Sequence, residues 1–267
     1  MRKVMNDMFL GIDIGSTSSK AVIIDGQANI CSRQVVNSGT GTPGAAQVVA
    51  AALAEAGCAQ ADILYCVATG YGRLNYKDAN RQITEISCHA KGVSFAAPHA
   101  RTVVDIGGQD TKVIRLDGDG NVANFVMNDK CAAGTGRFLE VMARVLGCEI
   151  GQLSGLAMKA AKPAAISSIC TVFAESEAIS KLADNVARED VAAGAMVSIG
   201  QRVAGMAARV GVAEAVIMTG GVALNRAMLG VLADEFQVEV TTTDSPQIVG
   251  ALGAAVFAME LYKKTTK

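Results

Sequence analysis

The chain contains the same short pattern twice, and this repeat constrains the fold more than any other feature. LGIDIGSTSSKAVII (10–24) and VVDIGGQDTKVIRL (103–116) share an Asp-Ile-Gly core, and in each copy a lysine follows seven residues after the aspartate. The repeat aligns Asp13 with Asp105, at an offset of 92 residues. Self-similarity of this kind predicts two copies of one structural unit.

The stretches around each copy also match. Asp-Gly dipeptides at 25–26 and 117–118 separate β-branched runs, and this dipeptide favours tight hairpin turns. Later, each half has a strand-like segment that ends in Thr-Gly, at 64–70 and 215–221. Further strands are predicted at 30–37 and 121–127, and helices at 44–57, 82–96, 135–147, 172–184, 188–210, 225–236 and 246–263. The pattern predicts a duplicated α/β fold with a boundary near residue 100.

The composition excludes several classes of partner. The chain has 267 residues, enough for one large or two modest domains, with 51% hydrophobic and only 18% charged residues. A net charge of −1 gives no reason to expect nucleic acid or an anionic membrane as partner. The longest uncharged apolar runs, 163–174 and 248–259, are shorter than the roughly 20 residues that a bilayer span needs. Without a signal-peptide pattern at the start, we expect a soluble cytoplasmic protein.

Both Asp-Ile-Gly turns have the composition of phosphate-binding loops. Glycine lets backbone N–H groups approach a phosphate closely, and successive N–H groups form an anion-binding concavity. The aspartate at the strand end can hold a water of a bound magnesium ion. Two matched turns, with Thr-Gly-Gly downstream, predict a clamp for a nucleotide phosphate tail. The predicted nucleotide contacts are Asp13, Gly15, Ser16, Thr17, Ser18, Ser19, Lys20, Gly107, Gly108, Gln109, Gly220, Gly221 and Gln247.

Two residues of the second turn are candidates for catalysis. Gln109 lies where an attacking water could be oriented, as a glutamine does in other NTPases, although it could equally be a polar turn residue. Asp105 is the candidate for the electrostatics of phosphoryl transfer through magnesium. We predict Asp105 and Gln109 as the catalytic residues.

Two of the seven cysteines stand out by their context. Cys131 and Cys170 each precede a predicted helix, whereas the other five lie in strand, helix or helix-end patterns that are typical of structural thiols. The two histidines have no evident pairing with these thiols, which disfavours a catalytic cysteine. Metal binding remains as a role for these two thiols. Two chains related by a two-fold axis would supply the four thiolates of a cubane iron–sulfur cluster. On spacing alone, a zinc site built in the same way is equally compatible.

The duplicated loops resemble those of the actin-like ATPase superfamily, which includes sugar kinases, heat-shock chaperones and actin. The resemblance implies a duplicated, ribonuclease H-like α/β fold with two domains around a nucleotide cleft. We expect the first domain at 1–100, with the C-terminal helix 246–264 returning to it. The second domain, 101–245, would carry both cysteines.

The cysteine motifs make the resemblance more specific. NDKCAAGTGRF (128–138) and SSICTVFAESE (167–177), placed among the two loops and MTGGVALN, are similar to the activator component of 2-hydroxyacyl-CoA dehydratases. Relatives of that component include the ATPase subunits of benzoyl-CoA reductase. The resemblance covers roughly 9–260.

This resemblance implies a function, cofactors and partners. Members are homodimers with one 4Fe–4S cluster between the subunits, held by cysteines that match Cys131 and Cys170. ATP hydrolysis to ADP, with Mg²⁺ as cofactor, drives a single electron from the cluster to a partner dehydratase. Ferredoxin or flavodoxin supplies this electron to the cluster. We therefore expect an oxygen-sensitive protein of anaerobic metabolism. The alternatives are a small-molecule kinase or a filament-type ATPase of the same superfamily, in which the cysteines would be incidental.

Overall fold

The computed structural model describes residues 7–266, which form two compact units. One unit contains the residues up to His99, the short segment Asp117–Val122 and the residues from Gln247 onward. The other contains Ala100–Leu116 and Ala123–Pro246. Each unit has its own sheet and its own apolar core.

The first unit is built on a five-stranded mixed sheet in the order β3-β2-β1-β4-β5. The first two pairings are antiparallel hairpins, and β4 and β5 add in parallel. The strands are β1 (Met8–Ile14), β2 (Ser19–Asp25), β3 (Ile30–Val36), β4 (Ile63–Thr69) and β5 (Arg81–Gln82). The helices of this unit are α1 (Gly44–Ala56), α2 (Glu85–Ala96) and α8 (Val249–Thr265).

Small residues let the last helix lie directly on the sheet and on α2. A Cβ on Gly11 of β1 would collide with backbone atoms of α8, and a Cβ on Gly92 or Gly253 would collide with the backbone of the facing helix. The surrounding aliphatic side chains are buried, so close backbone contact and apolar packing both hold α8 in place.

The second unit repeats the same topology. Its sheet has the order β10-β9-β6-β7-β8, which is the order of the first sheet when the copies are aligned strand by strand. The strands are β6 (Thr102–Ile106), β7 (Thr111–Leu116), β8 (Val122–Asn128), β9 (Val216–Thr219) and β10 (Val240–Thr242). The helices are α3 (Gly136–Val145), α4 (Ile150–Ala157), α5 (Thr171–Ala183), α6 (Arg188–Ala207) and α7 (Arg226–Phe236).

The strand registers confirm the predicted duplication. Asp13 faces Lys20 across the β1–β2 hairpin, and Asp105 faces Lys112 across β6–β7. On its other side each aspartate faces the threonine of a Thr-Gly strand end, Thr69 in one copy and Thr219 in the other. The duplication therefore extends to individual side chains.

The predicted strands and helices are present, with small shifts at their ends. Helix α2 begins at Glu85 rather than 82, because the Thr84 hydroxyl caps it by accepting a hydrogen bond from the Ser87 N–H. A 3₁₀ turn at Pro246–Ile248 precedes α8. Helix α4 and the short strands β5 and β10 were not predicted from the sequence. Within residues 7–266, no helix combines the length and apolar character needed to cross a membrane.

Candidate functional site

The first Asp-Ile-Gly turn is tight and leaves one carboxylate atom available. The Gly15 N–H donates to the Ser18 carbonyl at 3.0 Å, which closes the turn between β1 and β2. Asp13 is buried, and its Oδ2 lies 3.3 Å from Lys20 Nζ. Its Oδ1 is also buried and receives no hydrogen bond from the described residues. A buried carboxylate oxygen of this kind fits a hydrated cation, because an unsatisfied polar atom is costly to bury.

The second turn has the same shape but a more occupied carboxylate. The Gly107 N–H donates to the Asp110 carbonyl at 3.0 Å. Lys112 is fully buried and donates to Asp105 Oδ2 at 3.0 Å and to Asp110 Oδ2 at 2.7 Å. The Thr219 hydroxyl donates to Asp105 Oδ1 at 2.9 Å. Asp105 is thus held in one orientation by groups on two neighbouring strands.

The Thr-Gly strand ends bring backbone against each aspartate. Gly70 and Gly220 both have φ near the left-handed region, 86° and 85°. A Cβ on Gly220 would lie 2.9 Å from Asp105 Oδ1, and a Cβ on Gly70 would collide with Asp13 Oδ1. Only glycine fits at these two positions, for both conformational and steric reasons.

The other predicted nucleotide residues differ in exposure. Ser16, Thr17 and Ser18 are half-buried on the first turn, and Gln109 is exposed on the second. Ser19 is different: it is buried, and its hydroxyl donates to the Ser38 carbonyl at 2.8 Å. On the second turn, two glycines are half-buried: Gly107 and Gly108. Gly221 begins the 3₁₀ turn after β9. Gln247 is half-buried in the 3₁₀ turn before α8. Their contacts with a nucleotide remain predictions.

Cys131 lies in a short loop that side chains fix from both ends. Asn128, the last residue of β8, accepts a hydrogen bond from the Cys131 N–H at 3.3 Å and donates to the Cys131 carbonyl at 2.8 Å. The Thr135 hydroxyl donates to the Ala132 carbonyl at 2.7 Å. The cysteine itself is half-buried. Its loop is therefore fixed by hydrogen bonds, and the residue is only partly buried.

The same loop is hydrogen-bonded to the second Asp-Ile-Gly turn. The Gly136 N–H and the Arg137 N–H, at the start of α3, donate to the carbonyls of Gly107 and Gly108 at 2.8 Å each. The Thr111 hydroxyl donates to the Gly134 carbonyl at 2.5 Å. Three hydrogen bonds thus join the predicted phosphate loop to the segment that follows Cys131.

Cys170 is the residue that immediately precedes α5. It has extended backbone, and its carbonyl accepts from the Ala174 N–H at 3.0 Å, as the first bond of the helix. It is half-buried, and α5 packs against α3. Cys170 therefore lies at the start of α5, where the helix dipole favours negative charge such as a thiolate or an anionic cluster, and Cys131 lies five residues before α3, which contacts α5.

The other five cysteines are placed as structural thiols. Cys66 in β4 and Cys88 in α2 are buried, and burial raises the pKa of each thiol to about 12. Burial also raises the pKa of the Cys31 thiol. Cys58 and Cys148 follow helix ends. A thiol whose pKa is raised in this way stays protonated and is a poor metal ligand.

Sequence analysis missed the residues that support these loops. Asn128, Thr111 and Arg202 hold the cysteine segments, but none of them was singled out. For Thr111 a signal existed, because the repeat aligns it with Ser19, whose hydroxyl makes the matching bond to a loop carbonyl. For Arg202 no local signal existed.

Comparison with known proteins gives close matches over the whole chain. The model of the BadF/BadG/BcrA/BcrD ATPase family matches residues 10–258. The 2-hydroxyisocaproyl-CoA dehydratase activator of Clostridioides difficile is 48% identical over 258 residues, covering 97% of each chain. The (R)-2-hydroxyglutaryl-CoA dehydratase activating ATPase of Acidaminococcus fermentans is 48% identical over 259 residues, covering 97% of this chain and 98% of the relative.

Solved structures agree with these matches. The activator of the 2-hydroxyisocaproyl-CoA dehydratase from Clostridium difficile with bound ADPNP aligns with a TM-score of 0.94 at 47% identity, covering 97% of both chains. A ROK family glucokinase from Streptomyces griseus aligns with a TM-score of 0.58 at 16% identity, covering 95% of this chain and 99% of the other. The glucokinase is informative for the fold alone, and the shared fold confirms the predicted duplicated α/β fold class.

Proposed function

Because this chain belongs to the BadF/BadG/BcrA/BcrD ATPase family, we propose that it is the ATP-dependent activator of a 2-hydroxyacyl-CoA dehydratase, to which it delivers one electron at a time. Family membership favours this function over the small-molecule kinase and the filament subunit. The chain is an ATPase, and ATP and ADP are its nucleotides. The finer assignments below concern the residues, the iron–sulfur cluster and the oligomer.

The nucleotide assignment rests on the two turns. The backbone N–H groups and hydroxyls at 16–18 would bind phosphate oxygens, and Lys20 would add a positive charge. Asp13, with its buried and unsatisfied Oδ1, suits a water of Mg²⁺. Asp105, which accepts hydrogen bonds from Lys112 and Thr219, would contribute its negative charge from the second turn, and exposed Gln109 can orient the attacking water.

The cluster assignment rests on Cys131 and Cys170. Both are half-buried, and backbone groups around both are fixed by hydrogen bonds. Cys170 lies at the start of α5, and Cys131 lies in the loop that leads to α3. Two copies of the chain would together offer four thiolates, the usual ligand set of a 4Fe–4S cluster. Such a cluster, when bound, supplies one-electron chemistry. The chain's own part is to hold the thiols in place and to change their surroundings when nucleotide is bound.

Apolar side chains around Cys170 support the homodimer. Ile169, Val172 and Phe173 are exposed by 75%, 66% and 64%, although large apolar side chains are usually buried. A second copy would cover them and would bring its own two cysteines to the same place. A site at such a surface stays open to ferredoxin or flavodoxin as the electron source, and to oxygen.

One observation carries the proposal that ATP hydrolysis is coupled to electron transfer. The carbonyls of Gly107 and Gly108 accept hydrogen bonds from the N–H groups of Gly136 and Arg137, five and six residues beyond Cys131. A shift of the second turn when the phosphate is cleaved would therefore move the cysteine loop as well. The cysteine loop would then have two positions, and bound nucleotide would favour one of them through direct hydrogen bonds.

Iron content tests this function. Protein purified without oxygen should be brown and should contain about four iron atoms per dimer, the content of one cubane cluster. Cys131→Ser and Cys170→Ser should lose the iron but keep nucleotide binding, and Cys58→Ser serves as the matched control with full iron. A colourless wild-type protein, or one that binds only zinc, would refute the electron-donor function. Full iron in the Cys131→Ser protein would refute the ligand assignment.

A further inference from the structure

One face of α6 holds the whole segment that leads to Cys170. Four residues of this helix, each one turn from the next, contact that segment: Asp190, Gly194, Ser198 and Arg202. Residues spaced by four lie on the same side of a helix, so together they form a stripe along α6. The stripe runs parallel to residues 161–168, which it fixes from one end to the other.

The first half of the stripe anchors the start of the segment. Asp190 Oδ1 accepts hydrogen bonds from the N–H groups of Ala161 and Lys162, at 2.9 and 3.0 Å. The Asp190 carbonyl accepts from the Ala164 N–H at 2.8 Å. A Cβ on Gly194 would collide with the Ala164 carbonyl, so the glycine allows the segment to lie directly on the helix.

The second half of the stripe anchors the residues next to Cys170. The Ser198 hydroxyl donates to the Ser167 carbonyl at 3.0 Å, and Arg202 Nη1 donates to the Ser168 carbonyl at 3.1 Å. From the other side, Glu177 of α5 accepts a hydrogen bond from the Ser167 N–H at 2.6 Å. The backbone two residues before Cys170 is thus held by an arginine.

Arg202 also contacts the loop of the other cysteine. A Cβ on Gly134, three residues after Cys131, would lie 2.8 Å from Arg202 Cδ and 3.5 Å from its Nε. Gly134 has a φ of 84°, so glycine is required there for its conformation as well. The aliphatic stem of Arg202 therefore packs on one cysteine loop, while its guanidinium reaches the other.

This arrangement suits arginine better than any other residue. Its stem is long enough to cover a backbone surface, its head keeps a positive charge at any physiological pH, and its planar N–H groups reach a carbonyl in fixed geometry. Arg202 is half-buried, so its charge is less screened than that of a surface side chain. Positive charge near a thiolate-rich cluster favours the reduced form, which carries one more negative charge.

We propose that Arg202 is a positioning residue of the cysteine site: it fixes the loops of Cys131 and Cys170 relative to each other and places a permanent positive charge beside them. The first part concerns this chain alone, and the second rests on the proposed function, because it needs a redox cluster. The two parts are tested by two different measurements.

Amide hydrogen exchange of the iron-free protein tests the positioning role. Arg202→Met keeps the bulk of the stem but loses the donor, and we expect exchange at 132–136 and at 167–171 to become about tenfold faster, the effect of one lost charged hydrogen bond. Arg202→Lys should show a smaller increase. The control is Arg209→Met, which changes an exposed arginine near the end of the same helix and should leave both segments unchanged.

The midpoint potential of the reconstituted protein tests the charge. Arg202→Met should shift the potential to more negative values, and a tenfold change in the ratio of the two redox forms corresponds to about 59 mV for one electron. Arg202→Lys should restore a potential near that of the wild type, because it restores the charge. A purely structural role would not produce this rescue.

Several results would overturn the inference. If Arg202→Met matches Arg209→Met in both exchange and potential, Arg202 has no role at the site. If circular dichroism shows that Arg202→Met does not fold, Arg202→Lys must still exchange faster than Arg209→Lys in both segments, and equal rates would refute the positioning role. A wild-type protein that binds no iron would refute the proposed function, while the exchange experiment would still decide the role of Arg202.

Discussion

The two copies of the repeat use the same pair of hydrogen bonds to join the turn to the loop that follows the third strand. In the first copy, the Thr40 N–H donates to the Gly15 carbonyl, and the Ser19 hydroxyl donates to the Ser38 carbonyl. In the second copy, the Gly136 N–H donates to the Gly107 carbonyl, and the Thr111 hydroxyl donates to the Gly134 carbonyl. The donors and acceptors correspond position by position.

The difference lies in what the joined loop contains. In the first copy it is an ordinary connection into α1, whereas in the second copy it contains Cys131 and leads into α3. Cys131 thus lies in a connection that, in both copies, is hydrogen-bonded to a predicted phosphate loop. Under the proposed function, these hydrogen bonds would couple bound nucleotide to the thiol.

The copies also differ at their lysines. Lys112 is fully buried between two carboxylates, whereas Lys20 is partly exposed at 16% and lies 3.3 Å from one carboxylate. In the first copy the Thr69 hydroxyl donates to the Ile83 carbonyl, and in the second the Thr219 hydroxyl donates to Asp105. The aspartate of the first turn keeps one carboxylate oxygen available for a ligand, whereas both oxygens of Asp105 accept hydrogen bonds within the second unit.

The largest expected effect separates the two lysines. Lys112→Met leaves Asp105 and Asp110 without their buried partner, and breaking a buried pair from one side costs about 3–5 kcal/mol in the free energy of unfolding. Lys20→Met should cost less than Lys112→Met, because the Lys20 side chain is 16% exposed whereas that of Lys112 is fully buried. Denaturant unfolding followed by circular dichroism measures both. Equal losses of unfolding free energy in the two variants would show that the burial of Lys112 does not make it more important for stability than Lys20.

A second prediction concerns the aspartates. Asp105→Asn should slow magnesium-dependent ATP hydrolysis by about a hundredfold, the usual effect of losing one electrostatic contribution to phosphoryl transfer. Steady-state phosphate release measures it, with melting temperature as the control for folding. Wild-type rates in this variant would mean that the second turn is structural only, and the comparison of the copies would then lose its functional meaning.

A smaller effect separates the two hydroxyl bonds. Thr111→Val removes the bond to Gly134 and should reduce the electrons delivered per ATP hydrolysed about fivefold, the lower end of measured coupling energies. Ser19→Ala removes the matching bond in the first copy, which contains no cysteine, and should leave that ratio unchanged. The ratio is measured by following dehydratase activation and phosphate release together. An equal loss in both variants would argue that the bond stabilises the fold in general.

Much of this comparison could be predicted from the repeat itself. Asp13, Asp105 and the Thr-Gly strand ends are found by aligning the copies, and Cys131 and Cys170 are found because each precedes a helical pattern. Helix α4 could not be found in this way, because its sequence IGQLSGLA contains two glycines, which disfavour helix. Its place in the unit depends on packing.

The burial of Lys112 and the role of Arg202 were beyond sequence analysis for a different reason. A lysine or an arginine is usually exposed, and nothing local indicates the contrary. For Lys112, burial depends on the register that places it opposite Asp105. For Arg202, the proposed role depends on the segment at Ser168, which lies along α6 although it is more than thirty residues away in the chain. Contacts of this kind are set by tertiary structure.

Amide exchange of the wild-type protein with and without a magnesium-bound ATP analogue tests the central claim most directly. The claim is that nucleotide binding at the second turn changes the structure of the Cys131 loop. The change would pass through the hydrogen bonds that Gly107, Gly108 and Thr111 make with residues 134–137. We predict that the analogue changes exchange at 132–138, and that Thr111→Val reduces this change while nucleotide affinity is retained. Protection of the first turn at 15–18, with no change at 132–138, would show that nucleotide binds without reaching the cysteine loop and would contradict the account.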